Sequence, residues 1–282
     1  MDVAELLTVA TPLMWAVTAE LLGQRAGVLN IGIEGVMLTA CLAAALAAPV
    51  LGPWPAVIVA AAVAAAVNAV FATVVILGGD QVVAGTGMVL VGMGVSGVVF
   101  RDLQAKGFSG ALVPTLPWGP LEISALAAMA LLALLLARTR AGLLVRASGE
   151  NPDAVAAAGA SPQTVRMVAL VVAGALVGVG GAALVLREAG TFVEGMTAGR
   201  GFLALSLVLL GRWRPLLIVV GTVGLGAATS LQFHLQGLGL GGVPYHLLLA
   251  LPYVLTLAVL ALVRTRRLSG PAALGRPYRP QR

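Results

Sequence analysis

An all-helical, polytopic membrane protein with about eight to ten transmembrane helices is the fold class this sequence predicts, and three observations predict it. The chain is 60% hydrophobic and only 10% charged, whereas soluble domains carry about 25% charged residues. Several apolar runs approach or exceed the roughly 20 residues that cross a bilayer. Those runs are rich in small residues, with 36 glycines in the chain. Small residues suit close helix packing in lipid, where a leucine gains nothing by exchanging lipid for another leucine.

The first span is expected over residues 4–23. The chain opens with Met1-Asp2 and carries Glu5, without the basic stretch of a cleavable signal peptide, so this span is expected to stay in the mature protein. A second span, residues 28–48, contains a polar knot, Asn30-Ile31-Gly32-Ile33-Glu34-Gly35. A carboxylate at the centre of a bilayer costs at least about 2.5–3.5 kcal/mol, so it faces a cavity or a partner. Two readings follow: a broken helix lining a solute path with Asn30 or Glu34 contributing polar contacts, or Glu34 capping or pairing inside the bundle near Arg25. The third span, residues 56–77, holds Asn68, which suits an interhelical hydrogen bond or a solute contact. A tight turn at residues 78–81 leads into a glycine-interrupted fourth span that ends near Phe100.

Residues 101–120 form a loop in which Trp118 fits an interfacial aromatic belt. The fifth span covers residues 121–137 and the sixth residues 164–186, where Gly174-x-x-x-Gly178 offers a close helix approach. Residues 201–210 are apolar but too short to cross unaided. They form a broken or re-entrant helix, or part of a longer span. Arg200, between Gly199 and Gly201, reaches a solute or snorkels to the interface. Runs at 215–233 and 245–263 complete nine crossings. Residues 1–263 therefore make one transmembrane domain and residues 264–282 a basic tail.

The loop at residues 138–163 carries its own helix punctuation. Asn151 can cap a helix by accepting from first-turn N–H groups, and Pro152 falls where a missing N–H costs nothing. Asp153 sits near the positive end of the helix dipole. Gly159 can take the left-handed conformation that ends a helix, and Ser161-Pro162 restarts one. A short, stiff helix held between two spans is built to be touched.

Charge placement orients the chain. Putting Arg25, Arg138 to Arg166, Arg212, Arg214 and the tail on one side leaves only Arg101, Lys106, Arg187 and Arg200 on the other, so 13 of the 17 basic residues share a side. Positive-inside topology then puts the N-terminus outside, and the 138–163 loop and C-terminus in the cytoplasm. The net charge of +6 belongs to this pattern and implies no nucleic-acid partner. Cys41 is the only cysteine, which excludes an intrachain disulfide and a cysteine-based metal site. No phosphate loop is present, and the glycine clusters near residues 178–181 and 237–241 lack the strand and acidic partner of a dinucleotide turn. His234 and His246 have no third ligand nearby. No enzyme constellation stands out.

Asp153-Ala154-Val155-x-x-x-Gly159 resembles the Glu-Ala-Ala-x-x-x-Gly signature of ABC-importer permeases, whose cytoplasmic coupling helix sits in a groove of the ATPase. Three further segments are similar to the branched-chain amino acid/ribose permease superfamily, nucleoside and simple-sugar branch. They are Gly27-Val-Leu-Asn-Ile-Gly-Ile-Glu-Gly-Val-Met37, Gly79-Asp-Gln-Val-Val-Ala-Gly85 and Arg146-Ala-Ser-Gly-Glu-Asn-Pro-Asp153. Phe192 to Phe202, Gly211 to Pro215, Leu251 to Thr256 and Pro271 to Tyr278 extend the likeness to nearly the whole chain. Length and the Gly79–Gly85 segment resemble the smaller of two paired permeases.

The resemblance implies a type II-like importer transmembrane domain in the bacterial cytoplasmic (inner) membrane. It implies a second, non-identical permease, a cytoplasmic ABC ATPase and an extracytoplasmic solute-binding lipoprotein as partners, with a nucleoside or simple sugar as solute. The chain would bind no cofactor itself; ATP and Mg would be used by the partner ATPase. It also makes Glu150, Asn151, Pro152, Asp153, Ala154, Val155 and Gly159 the ATPase-coupling residues. Asp153 and Val155 depart from the signature but keep its charge and its apolar face. Asn30, Glu34, Asn68 and Arg200 are the solute-path candidates. The competing reading is an ATP-independent carrier or channel, for which the capped helix in the loop has no use.

Overall fold

The computed structural model describes residues 3–106, 113–237, 254 and 270–276. Its elements are α1 (Val3–Arg25), α2 (Ile33–Leu51), α3 (Pro53–Ile76), α4 (Gln81–Ala105), α5 (Pro120–Arg138), α6 (Arg140–Glu150), α7 (Pro152–Ala157), α8 (Pro162–Ala183), α9 (Arg200–Leu210) and α10 (Pro215–Gly237). A π-helical turn, Leu184–Ala189, extends α8. No strand occurs among the described residues. Seven helices in that set are long and apolar enough to cross a membrane, which makes this a multi-pass membrane protein. Of the expected run at 245–263 only residue 254 is among the described residues.

The centre of the bundle is α1, packed against α5, α8, α9 and α10. Its hydroxyls are satisfied within the helix: Thr11 and Thr18 each donate 2.7 Å to the carbonyl four residues back. That leaves Thr11 and Thr18 with no hydroxyl hydrogen to offer a neighbouring helix. In contrast α3, α4 and α5 keep most of their apolar surface exposed, as suits helices facing lipid.

Helix α8 is the spine, and glycine makes it so. A Cβ at Gly178 would lie 2.5 Å from the backbone of Ala60 and Ala61, and one at Gly174 would lie 2.7 Å from Ala64 O. Gly180 faces α1 at Trp15, and Gly181 faces α2 at Met37 and Ala40. Without side chains at these points, three backbones approach α8 closely enough for dispersion to hold them.

Two boundaries differ from the hydropathy reading. The second span starts as a helix only at Ile33, because residues 28–32 run as a buried irregular segment. Hydropathy registers burial, not helicity. The segment is tolerated because its backbone is satisfied: Val28 N–H donates to Gly23 O at 3.0 Å, and Leu29 N–H donates to Gln81 Oε1 at 2.8 Å. The 138–163 loop also contains α6, an eleven-residue amphipathic helix. Thr139 caps it by accepting from Gly142 N–H at 3.0 Å, and Gly142, Val145, Ser148 and Gly149 bury one face. Glycines and arginines in that stretch mask the helical period.

The 201–210 run resolves as α9, which starts in the interior of the bundle and ends beside the end of α1. Its N-terminus lies against Glu34, while Trp213 just beyond its C-terminus meets Gln24 at the end of α1. Eleven residues rise about 16 Å, roughly half a bilayer core, so residues 190–199 cover the rest without regular helix.

Because α8 packs through bare glycine, Gly178→Ala should destabilise the bundle by about 1–3 kcal/mol through overpacking. Gly94→Ala should be neutral, since a Cβ there meets nothing within 4 Å. Thermal inactivation of both variants in detergent, read as the surviving monodisperse fraction, checks the difference.

Candidate coupling surface and membrane-embedded cluster

The corner between α6 and α7 turns on Asn151. Its N–H donates to Ala147 O at 2.8 Å, closing α6. Its Oδ1 accepts from Ala154 N–H at 3.1 Å, opening α7. Pro152 stands at the first helical position. Gly159 adopts φ +82°, and Ala160 N–H donates to Val155 O at 3.1 Å, so the helix ends as the left-handed cap requires. Ser161 Oγ then accepts from Thr164 N–H at 3.2 Å and starts α8.

This geometry sorts the candidate coupling residues. Asn151, Asp153, Ala154 and Gly159 are exposed, and a Cβ on Gly159 would point into open space. Pro152 is half-buried. Val155 differs: at 2% exposure it points into its own chain. Its apolar side chain anchors α7 to the bundle and presents nothing to a partner. Glu150 is exposed but engaged, since its Oε2 accepts from Ala272 N–H at 3.2 Å.

The corner is tied to the rest of the molecule by Arg166, which the sequence reading did not single out as a site. Its guanidinium is 2% exposed and donates to Ala26 O at 3.2 Å and Ser148 O at 3.3 Å. The end of α1, the end of α6 and the start of α8 thus share one cation. Gly149 packs directly on the Arg25 carbonyl. Residues 270–276 complete the corner: Ala273 N–H donates to Gly149 O at 2.8 Å, and Gly270 lies against the Trp213 ring.

Within the membrane the four solute-path candidates fall into two clusters. Asn30 and Asn68 are buried and hydrogen-bonded in series. Asn30 Nδ2 donates to Asn68 Oδ1 at 2.8 Å, and Asn68 Nδ2 donates to Leu170 O at 2.5 Å. This chain joins the irregular 28–32 segment, α3 and α8. Glu34 is 4% exposed, and both of its oxygens are occupied. Oε1 accepts from Thr197 Oγ1 (2.6 Å) and Gly199 N–H (2.8 Å), and Oε2 accepts from Gly201 N–H (2.7 Å). The carboxylate caps α9 from a neighbouring helix, at the positive end of that helix's dipole. It does not meet Arg25, whose Nη2 donates to Trp213 O at 2.8 Å. Arg200 neither snorkels nor stands free: its Nη2 donates to Glu188 Oε1 at 2.5 Å.

One buried network carried a sequence signal that hydropathy overrode. Glu20 lies in the first span, and an ionisable residue there is by default a functional candidate. Gln24 Nε2 donates to Glu20 Oε1 at 2.9 Å, and Trp213 Nε1 donates to Gln24 Oε1 at 2.7 Å. Trp213 reaches that position from a turn in which it and Arg212 take φ +54° and +52°, costly for residues other than glycine. Nothing in the sequence marks that turn as left-handed.

The chain matches the family described as branched-chain amino acid transport system / permease component over residues 3–263. It is 31% identical to the putative glucose ABC transporter permease protein TsgC13 of Haloferax volcanii, over 95% of this chain and 94% of that protein. It is 27% identical to the nucleoside ABC transporter permease protein NupC of Lactococcus lactis, over 92% and 91%. It is 26% identical to the guanosine ABC transporter permease protein NupQ of Bacillus subtilis, over 99% and 98%. The similarly named TsgB13 and NupB of the first two organisms match over 74% and 43% of this chain. No solved structure matches.

Replacing Glu34 by Ala should leave the Gly199 and Gly201 N–H groups unpaired in the bundle, at about 1–3 kcal/mol each. Glu34→Gln should cost less, because one oxygen still accepts. Melting temperatures of the purified variants should fall in the order wild type, Gln, Ala; equal values would remove the cap from the folding argument.

Proposed function

The chain belongs to the branched-chain amino acid transport system / permease component family, and from that premise we propose that it is the permease subunit of an ATP-binding cassette importer for nucleosides. The observation that carries the coupling half of this reading is α7, a capped helix with an exposed face and one buried anchor, Val155. The nucleoside half is supported by the names of NupC and NupQ, which match nearly the whole chain. The likeness to TsgC13 supports a second reading, a simple sugar such as glucose.

In this reading the partners are a cytoplasmic ABC ATPase, a second permease and an extracytoplasmic binding lipoprotein. The paired names TsgB13/TsgC13 and NupB/NupC support the second permease. ATP and Mg are used by the ATPase, consistent with a sequence that has no phosphate loop. The charge distribution supports placing α7 on the cytoplasmic side of a bacterial cytoplasmic membrane.

The mechanism then follows the packing. Closure of the ATPase dimer displaces α7, which is too short and too firmly capped to absorb the movement. Asn151 and Val155 pass it to α6 and α8. Gly149 bears on the Arg25 carbonyl and Arg166 holds Ala26, so the displacement reaches the end of α1. Arg25 and Gln24 then carry it to Trp213 and the α9–α10 turn. Transmission is by rigid contact between elements that have little room to deform.

Reconstitution with the cognate ATPase, second permease and binding protein tests the whole reading. ATP-driven uptake of uridine or guanosine is expected, and uptake of glucose alone would transfer the assignment to sugars. Gly159→Arg and Ala154→Arg should each insert normally yet abolish stimulation of the ATPase by loaded binding protein, because a long cation would fill the contact. Ala154→Arg introduces no left-handed residue, so loss in both variants separates contact from backbone strain. Normal stimulation in both would remove α7 from coupling.

A further inference from the structure

At the end of the bundle opposite α7, the first turns of α1 border a cavity of about 400 Å³ lined by Glu5, Thr8, Val9, Arg187, Glu188 and Phe233. That volume falls within the roughly 300–1,000 Å³ of small-molecule sites. The cavity rests on the π-helical turn at the end of α8, and such turns concentrate at functional sites. There the consecutive residues Arg187 and Glu188 diverge. Arg187 Nε donates to Glu122 Oε1 at 3.0 Å and its Nη2 to Thr8 Oγ1 at 3.3 Å. Glu188 Oε1 accepts from Arg200, while its Oε2 is buried and has no hydrogen-bond partner among the described residues.

Both arginines are thus neutralised by carboxylates of this chain. The unmet acceptor is a carboxylate oxygen of a residue that itself lines the cavity. Phe233 adds an aromatic ring that is 42% exposed. Among the described residues the cavity offers an acceptor without a donor, no unpaired guanidinium and a flat apolar ring, which together select a neutral, donor-bearing molecule with a planar ring. A phosphorylated ligand would meet Glu5 and Glu188 with no free cation among the described lining residues to offset them.

We propose that this cavity is a nucleoside-binding vestibule, in which the base stacks on Phe233 and a ribose hydroxyl or base amino group donates to Glu188 Oε2. The proposal rests on the reading of the chain as a nucleoside-importing permease. Arg200 is then a positioning residue: it holds Glu188 through Oε1 and leaves Oε2 for the ligand.

The native chain simplifies the test, because its single cysteine, Cys41, is fully buried. Ala4 also lines the cavity and has no contact with the ligand in this proposal; Ala4→Cys in the assembled importer, in nanodiscs, is exposed to a hydrophilic thiol reagent, and labelling of this chain is followed by mass. Millimolar uridine or guanosine should slow labelling at least threefold, whereas ribose and uridine monophosphate at the same concentration should not. Adding Glu188→Gln, which keeps an oxygen for Arg200, should raise the half-protecting nucleoside concentration about tenfold. A cysteine at position 4 that does not label, absence of protection, equal protection by ribose or by the monophosphate, or protection indifferent to Glu188→Gln would each overturn the site. Uptake by the unmodified importer is measured alongside. Nucleoside uptake without protection overturns the vestibule alone, and absence of nucleoside uptake overturns the functional reading together with it.

Discussion

The end of a helix inside a bilayer has no water to satisfy its N–H groups, and α9 begins in the interior of the bundle. Glu34 answers that constraint by placing a carboxylate from the first turn of α2 on Gly199 and Gly201. Charge and donors match, so a group that would be expensive alone becomes the joint between two helices. Much else depends on it. The cap holds the irregular 190–199 segment at its lower end through Thr197. It fixes where Arg200 leaves the backbone, and therefore that Arg200 reaches Glu188 on the π-helical turn. Of the two uses its chemistry allowed, a solute contact or a cap within the bundle, the cap is the one its hydrogen bonds make here.

Helix α8 with its π-helical turn runs from the α7 corner to the cavity at the opposite end of the bundle. Its glycines bring α1, α2 and α3 into backbone contact, which leaves the helix little freedom to bend. At one end Arg166 gathers the carbonyls of Ala26 and Ser148 beside α7. At the other, the π-helical turn splays Arg187 and Glu188 toward different neighbours. The wider turn also frees Leu186 O, which accepts from Leu116 N–H at 2.8 Å and so docks the 113–119 segment over the bundle end. Helix α8 with this turn is a stiff rod with a polar hub at each tip, some 40 Å long over its 28 residues, and under the proposed function it would carry a displacement from one end of the bundle to the other.

Much of this was legible in the residues. The spans could be read because lipid-facing and core helices alike must be apolar over a bilayer's thickness. The boundaries of α7 could be read because caps act locally: Asn151, Pro152, Gly159 and Ser161 each do their work within four residues of themselves. Gly174 and Gly178 announced a close approach, and the packing on α3 supplies its partner. Less legible were α6, whose amphipathic face alternates with glycine and arginine, and the start of α2, where apolar residues form no helix. Glu20 was legible in principle, as a carboxylate in an apolar run, but the first span's hydropathy hid it.

The sequence by itself determined what is set by composition and by neighbours along the chain: a membrane bundle, its approximate crossings, and a stiff capped helix between two of them. Tertiary structure alone decided which polar residues meet. Glu34 could have lined a path or met Arg25 until the fold brought residues 197–201 against it, more than 160 positions away. Val155 could have faced a partner until α7 docked with that side inward, and Glu188 drew no notice until the π-helical turn left one of its oxygens unpaired. The physical reason is common to all three. Local structure responds to residues a few positions apart, whereas the partner of a buried charge is chosen by packing, which no local pattern encodes.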